Sequence, residues 1–174
     1  MDTCLILMRH AKSSWEESGL ADFERPLTAR GAKAAPGMAR WLAAQKLFPE
    51  AVLASPAERA RSTAALVKTV LEESRPVHFA MDRRLYEADL ARLLDVLREQ
   101  QALSLLLVGH NPGCEDLLHF LVADEQLGGR DAKQFPTAAM FVLALNGGWQ
   151  AVGRGSARLL MSMRPRDLPK EFLD

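Results

Sequence analysis

No apolar run in this chain of 174 residues approaches the roughly 20 needed to span a bilayer, which sets aside a transmembrane role and a membrane partner. Residues 1–8 are too short a stretch, and too soon followed by Arg9 and His10, to act as a secretory signal, so a cytoplasmic location is expected. Cysteine is scarce. Cys4 and Cys114 stand alone without metal-ligand spacing, which excludes a disulfide framework and reads as two buried free thiols. Neither sign of charge is in excess: 22 basic and 22 acidic side chains cancel, so no bulk field recruits nucleic acid. Any affinity for an anion must come from a local cluster. The four histidines show no His-x-x-x-His spacing and no acidic partner pattern, so no metal site and no cofactor are expected.

Nothing repeats, and no segment is of low complexity. With 48% hydrophobic and 25% charged residues the composition is that of a soluble globular chain, and the length fits one domain able to bury its own core. Strand-like and helix-like patterns alternate, which predicts an α/β fold with a mostly parallel sheet. Strands are expected over residues 4–8, 51–54, 77–80 and 103–108, with a polar loop over 12–26. Thr28 is expected to cap a helix to about residue 45, kinked or divided at Pro36-Gly37. Ser55-Pro56-Ala57-Glu58 reads as a helix opening, with serine as the cap, proline first and glutamate closing a capping box.

Asp89 is expected to cap a helix through Leu97, and Asn111-Pro112 to repeat the cap-then-proline opening for a helix to about residue 122. Residues 128–137 read as a loop. Two antiparallel strands, 138–145 and 149–163, are expected around Asn146-Gly147-Gly148, with an interruption or bulge at Gly153 and Gly155. From Arg164 onward an irregular surface tail is expected.

Two runs, Met8-Arg9-His10-Ala11 and Val108-Gly109-His110-Asn111-Pro112, each place a histidine where a buried strand ends. Ligands of open α/β sheets bind outside the carboxyl ends of the strands, so these histidines share one crevice if their strands are neighbours. Arg9 leaves the first strand with His10, Arg59 lies in the first turn of the second helix, and Lys12 adds positive charge at the mouth. Helix N-termini add to the pull on an anion, and arginine forks match phosphate oxygens without losing their charge. Cations around a nucleophilic imidazole suit transfer of a phosphoryl group.

At these residues the chain resembles the histidine phosphatase superfamily, whose Arg-His-Gly or Arg-His-Ala signature is matched by Arg9-His10-Ala11. Leu27-Thr28-x-x-Gly31, Ser55-Pro56-x-x-Arg59-Ala60-x-x-Thr63, Arg84-Leu85-x-Glu87 and Gly109-His110 are similar to its later segments, in the same order. Chain size and the run Arg-His-Ala-Lys are most similar to the SixA-like group of small phosphohistidine phosphatases. The resemblance implies a three-layer α/β/α sandwich of the phosphoglycerate mutase-like kind.

It also implies that His10 attacks phosphorus to give a phosphohistidine, which water then hydrolyses. Arg9, Arg59 and His110, with Lys12 beside them, would bind the phosphoryl oxygens, and neither metal nor cofactor would be required. Glu87 is the implied acid for the leaving group, with Asp89 two residues away as the alternative. The glutamate-rich run of phosphoglycerate mutases is absent after Glu87.

Few residues separate Glu87 from His110, which leaves no room for a lid and favours a phosphorylated protein as partner. A small phosphorylated metabolite, such as a sugar or nucleotide phosphate, is the alternative substrate, and a non-catalytic phosphate-binding regulator the alternative class. Blander roles are expected elsewhere: His78 and His119 structural or on the surface, Arg61 solvated, Met161 and Met163 in the core. Arg25 either folds back to the pocket or pairs with Asp22 or Glu24. Trp15 is either a recognition surface or a loop anchor. The sequence carries no signal for oligomeric state.

Overall fold

The structure, a computed structural model, describes residues 3–128 and 134–173. Its six strands are β1 (Thr3–Arg9), β2 (Ala51–Ala54), β3 (His78–Met81), β4 (Ser104–Gly109), β5 (Met140–Leu145) and β6 (Ala157–Met163). Its helices are α1 (Ala29–Ala44), α2 (Glu58–Glu72), α3 (Leu90–Arg98) and α4 (Gly113–Leu121). In β1, Leu5 and Leu7 join one buried cluster while Ile6 and Met8 join the other; β4 divides Leu105 and Leu107 from Leu106 and Val108 in the same way. A strand covered on both faces has no polar side, which is why these stretches are continuously apolar rather than alternating.

The strand order is β3-β2-β4-β1-β5-β6. Strands β3, β2, β4 and β1 run parallel, and β5 runs antiparallel to both β1 and β6. Helices α1 and α2 cover one face through Met38, Leu42, Ala64 and Val67. Helices α3 and α4 cover the other through Leu93, Leu97, Leu117 and Leu118. This is the expected α/β/α sandwich around a mostly parallel sheet. The chain passes from β1 to β2 over the place β4 later fills, so its order reverses between β1 and β4, and a crevice opens at their carboxyl ends.

Local expectations fared unevenly. Thr28 caps α1 by accepting from Gly31 N, and Asp89 caps α3 by accepting from Arg92 N. Helix α1 continues through Pro36 undivided. Its buried face (Ala35, Met38, Ala39, Trp41, Leu42) and the chain end packed beside Gly37 outweigh the one backbone bond a proline removes. The tail from Arg164 is accordingly less loose than expected: it forms two 3-10 turns, buries Leu168, and its Phe172 carbonyl accepts from Arg40.

Neither Ser55 nor Asn111 caps a helix. The N-caps are Ala57 and Pro112, without side-chain bonds; Ser55 Oγ accepts from Ala57 N at 3.3 Å ahead of the helix and also meets His110, while Asn111 Nδ2 reaches Phe135 O. After β5 the chain makes a 3-10 turn at Trp149–Ala151, so β6 starts only at Ala157, beyond Gly153 and Gly155. Of the expected loop at 128–137, residues 129–133 lie outside the described residues. His78 is exposed, and His119 lies 3.3 Å from Asp124. Met161 and Met163 are half-buried against the core. Among the described residues no helix is long and apolar enough to cross a membrane.

Candidate active site

Strands β1 and β4 are in register with Arg9 opposite Gly109, so the residue after each is a histidine at the same height. His10 N donates to Gly109 O at 2.9 Å, and the two imidazole centroids lie 5.2 Å apart. Both rings, with Arg9, Arg59, Lys12 and Asn111, line a cleft of about 390 Å³. It continues into a second hollow that shares Asp22, Arg59, His110 and Asn111 and adds Tyr86, Glu87 and Asp89. The structure thus brings together every residue the sequence assigned to the site.

His10 is 7% exposed, and its Nδ1 lies 2.7 Å from Ala11 O. A carbonyl can only accept, so Nδ1 carries the proton and Nε2 keeps its lone pair. Arg59 Nε donates to that Nε2 at 3.4 Å. Burial pushes the His10 pKa down to about 3, aided by His110, Arg59 and Arg9 and opposed by the Ala11 bond. His110 is pushed down to about 4, by burial first and then by Arg59. Its Nε2 is 2.8 Å from Ser55 Oγ, which also accepts from Ala57 N at 3.3 Å.

Arg59 enters from the first turn of α2, and Thr63, one turn later, ties that helix to the segment just after His10. Thr63 Oγ1 donates to Arg59 O at 2.6 Å and accepts from Ala11 N at 2.9 Å. This is the physical content of the Arg-Ala-x-x-Thr spacing. Gly31 has a comparable reason: a Cβ there would meet Lys12 O at 2.2 Å, so only glycine lets α1 approach the loop leaving His10. On the opposite wall, the Phe135 carbonyl accepts from Arg9 Nη1 and from Asn111 Nδ2, each at 3.1 Å.

Asp22, expected from the sequence only as a partner for Arg25, is a residue of the site. Its Oδ2 accepts from Arg59 Nη2 at 3.0 Å and from the Tyr86 hydroxyl at 2.8 Å, and its carbonyl accepts from Arg59 Nη1 at 2.7 Å. Arg25 pairs with Asp22 rather than Glu24, at 3.0 Å. Partial burial works to raise the Asp22 pKa, but the bonds from Tyr86, Arg25 and Arg59 hold it down to about 2. Tyr86, the chain's single tyrosine, is likewise unexpected; its ring stands 5.7 Å from His110. Loop acids and lone aromatics leave no periodic trace in a sequence.

Two further residues are now placed. Glu87 is exposed, lines the second hollow and has φ +54, a left-handed conformation that costs a non-glycine residue about 1–2 kcal/mol. Asp89 lines the same hollow, but its Oδ1 is engaged by Arg92 N. Trp15 is 76% exposed at the cleft mouth, with the Arg25 guanidinium 3.2 Å above its ring.

The depressed histidines predict how the free protein responds to acid. Both rings stay neutral at pH 5, where an ordinary imidazole of pKa about 6.5 is protonated. Between pH 6.5 and about 4 the unfolded chain binds protons there that the folded chain refuses, so stability falls as pH falls. A ring titration by NMR checks this directly, and an inflection near 6.5 for both rings overturns it. The fall in unfolding temperature over that window is expected to be shallower in His10→Ala.

The model of the histidine phosphatase superfamily (branch 1) matches residues 5–110. An uncharacterized protein of Mycobacterium tuberculosis is 35% identical over 165 residues, covering 91% of this chain and 100% of that one. An uncharacterized chloroplastic protein of Arabidopsis thaliana is 30% identical over 158 residues, covering 84% of this chain and 68% of that one. A solved structure of a protein named SixA from Agrobacterium tumefaciens superposes with a TM-score of 0.79 at 26% identity, covering 95% of this chain and 99% of that one. The protein histidine phosphatase SixA, solved with tungstate, gives a TM-score of 0.77 at 26% identity, with 95% and 99% covered. The chain belongs to the histidine phosphatase superfamily, branch 1.

Proposed function

We propose that this phosphatase removes the phosphoryl group from a phosphohistidine on a protein, in the cytoplasm, through a covalent intermediate on His10. One observation carries the reading: a neutral imidazole with its Nε2 lone pair facing Arg59, inside a cleft that also holds Arg9 and His110. In the first step His10 Nε2 forms a bond to phosphorus as the bond to the leaving nitrogen breaks. In the second, water attacks phosphorus, the bond to His10 breaks, and orthophosphate leaves. Arg9, Arg59 and His110 hold the charge on the equatorial oxygens throughout, and Lys12 adds to the field at the mouth.

Glu87 gives a proton to any leaving group that does not already carry one, and its carboxylate takes one from the attacking water in the second step. Asp89 is the weaker alternative because its carboxylate is spent on capping α3. The stretch between Glu87 and His110 is taken up by α3 and β4, which supports an open cleft able to admit a side chain of a folded partner. The test compares turnover of a phosphohistidine carrier protein with that of a panel of sugar and nucleotide monophosphates. Higher kcat/KM on the carrier supports the reading, and the reverse order establishes a small-molecule phosphomonoesterase.

A second result follows from leaving-group chemistry. Alkoxides depart only when protonated, whereas an already protonated phosphoimidazole departs as neutral imidazole. Glu87→Gln is expected to cost about 10²- to 10⁴-fold on an alkyl phosphate and much less on phosphohistidine. Equal losses on both would remove Glu87 from that role.

A further inference from the structure

A third cavity, of about 210 Å³, lies beside the catalytic cleft and shares Lys12 and Thr137 with it. Lys12, Arg30, Arg164 and Arg166 line it, and no carboxylate does so among the described residues. In a chain whose charges cancel overall, this is a strong local excess of positive charge. Many arginines elsewhere are engaged: Arg25 and Arg59 share Asp22, Arg61 meets Glu58, Arg84 meets Asp82 and Glu99, Arg9 and Arg40 donate to carbonyls, and Arg75, Arg83 and Arg154 lie over aromatic rings. The side chains of Lys12, Arg30 and Arg164 form no hydrogen bond or ion pair among the described residues. Arg166 has only Asp167 at 3.7 Å, an exposed pair of small worth.

Lys12, Arg30 and Arg166 are exposed and Arg164 half-buried, so water softens their mutual repulsion, yet an anion among them is drawn by all four, and guanidinium forks suit the oxygens of carboxylates and phosphates. The cavity is also tied to the chemistry by backbone. Ala138, on its wall, donates N–H to the carbonyls of His10 and Arg9, at 3.0 and 3.1 Å.

We propose that this pocket binds a second oxyanion, carboxylate or phosphate, carried on the same substrate as the phosphoryl group that His10 attacks. The substrate then spans from His10 past Lys12 to Arg30 and Arg164. The proposal rests on the phosphatase reading of the cleft but not on phosphohistidine as the substrate. Two sources could supply the anion, acidic residues flanking a phosphohistidine or the second phosphate of a small bisphosphate.

The experiment measures binding by calorimetry on His10→Ala protein, so that turnover does not intervene. One arm compares a phosphohistidine peptide flanked by glutamates with the same peptide flanked by glutamines. The other compares a sugar bisphosphate with its monophosphate. In at least one arm the two-anion ligand is expected to bind about tenfold or more tightly, and Arg30→Gln with Arg164→Gln is expected to abolish that advantage. The arm that shows the effect identifies the source. The same pair of substitutions in otherwise unaltered protein leaves p-nitrophenyl phosphate turnover within about twofold, since that substrate has a single anionic group. Equal binding of both members in both arms, or an advantage that survives the substitutions, overturns the proposal. A binding advantage in a protein that hydrolyses nothing would instead refute the phosphatase reading alone.

Discussion

His10→Ala is expected to abolish covalent labelling and to lower turnover by at least about 10⁴-fold, the scale seen when a nucleophile is removed from an intact site. Acid-quench trapping of radiolabelled phosphoryl on the chain reads the first effect, and steady-state kinetics the second. The fold should survive the change. His10 is a buried ring whose Nδ1 is bonded to its neighbour's carbonyl, so truncation removes one hydrogen bond and some packing, while the backbone bonds to Gly109 and Ala138 persist. His110→Ala should behave differently, retaining some label because the attacking nitrogen is still present. Label that persists undiminished in His10→Ala would disprove the nucleophile assignment.

Arg59→Ala is expected to lower kcat/KM by about 10²- to 10³-fold, the usual effect of removing a donor that meets charge developing in the transition state. This side chain does more than supply charge. It is 7% exposed, faces His10 Nε2, and is oriented by both the carboxylate and the carbonyl of Asp22. Arg59→Lys keeps the charge but loses the fork, and should recover only a small part of the loss. Full recovery with lysine would mean that net charge rather than geometry does the work. In either variant Asp22 keeps Arg25 and Tyr86, so its loop should stay in place, with near-normal unfolding temperatures.

The parts of this site legible in sequence are those fixed by periodic structure. His10 and His110 were found because each ends an apolar run, and buried parallel strands deliver their next residue to the same edge of the sheet. Arg59 and Thr63 could be read from their spacing on one helix. What escaped was decided by tertiary competition for polar atoms. Ser55 has the sequence context of a cap, yet α2 starts three residues later and its hydroxyl bridges Ala57 N and an imidazole 2.8 Å away. Asn111 Nδ2 bonds Phe135 O across the cleft, while its Oδ1, the atom a cap would use, has no partner among the described residues. Asp22 meets Arg59 and Tyr86 only after two distant segments converge on the start of α2, and nothing local announces that. Pro36 shows the opposite conflict: a local signal that could divide the helix does not, because the helical face around it is buried.

The strand that leads into His10 lies between neighbours drawn from the far half of the polypeptide: Leu5 sits beside Leu105 on one side and Leu143 on the other. An amino-terminal fragment holding His10 and Arg59 therefore lacks both of the strands that flank β1. Such long-range pairings raise contact order and close late, after the entropy of a large loop has been overcome. During refolding, hydrolytic competence can return only with the β1–β4 pairing, which makes enzymatic turnover a direct clock for the completion of chain topology.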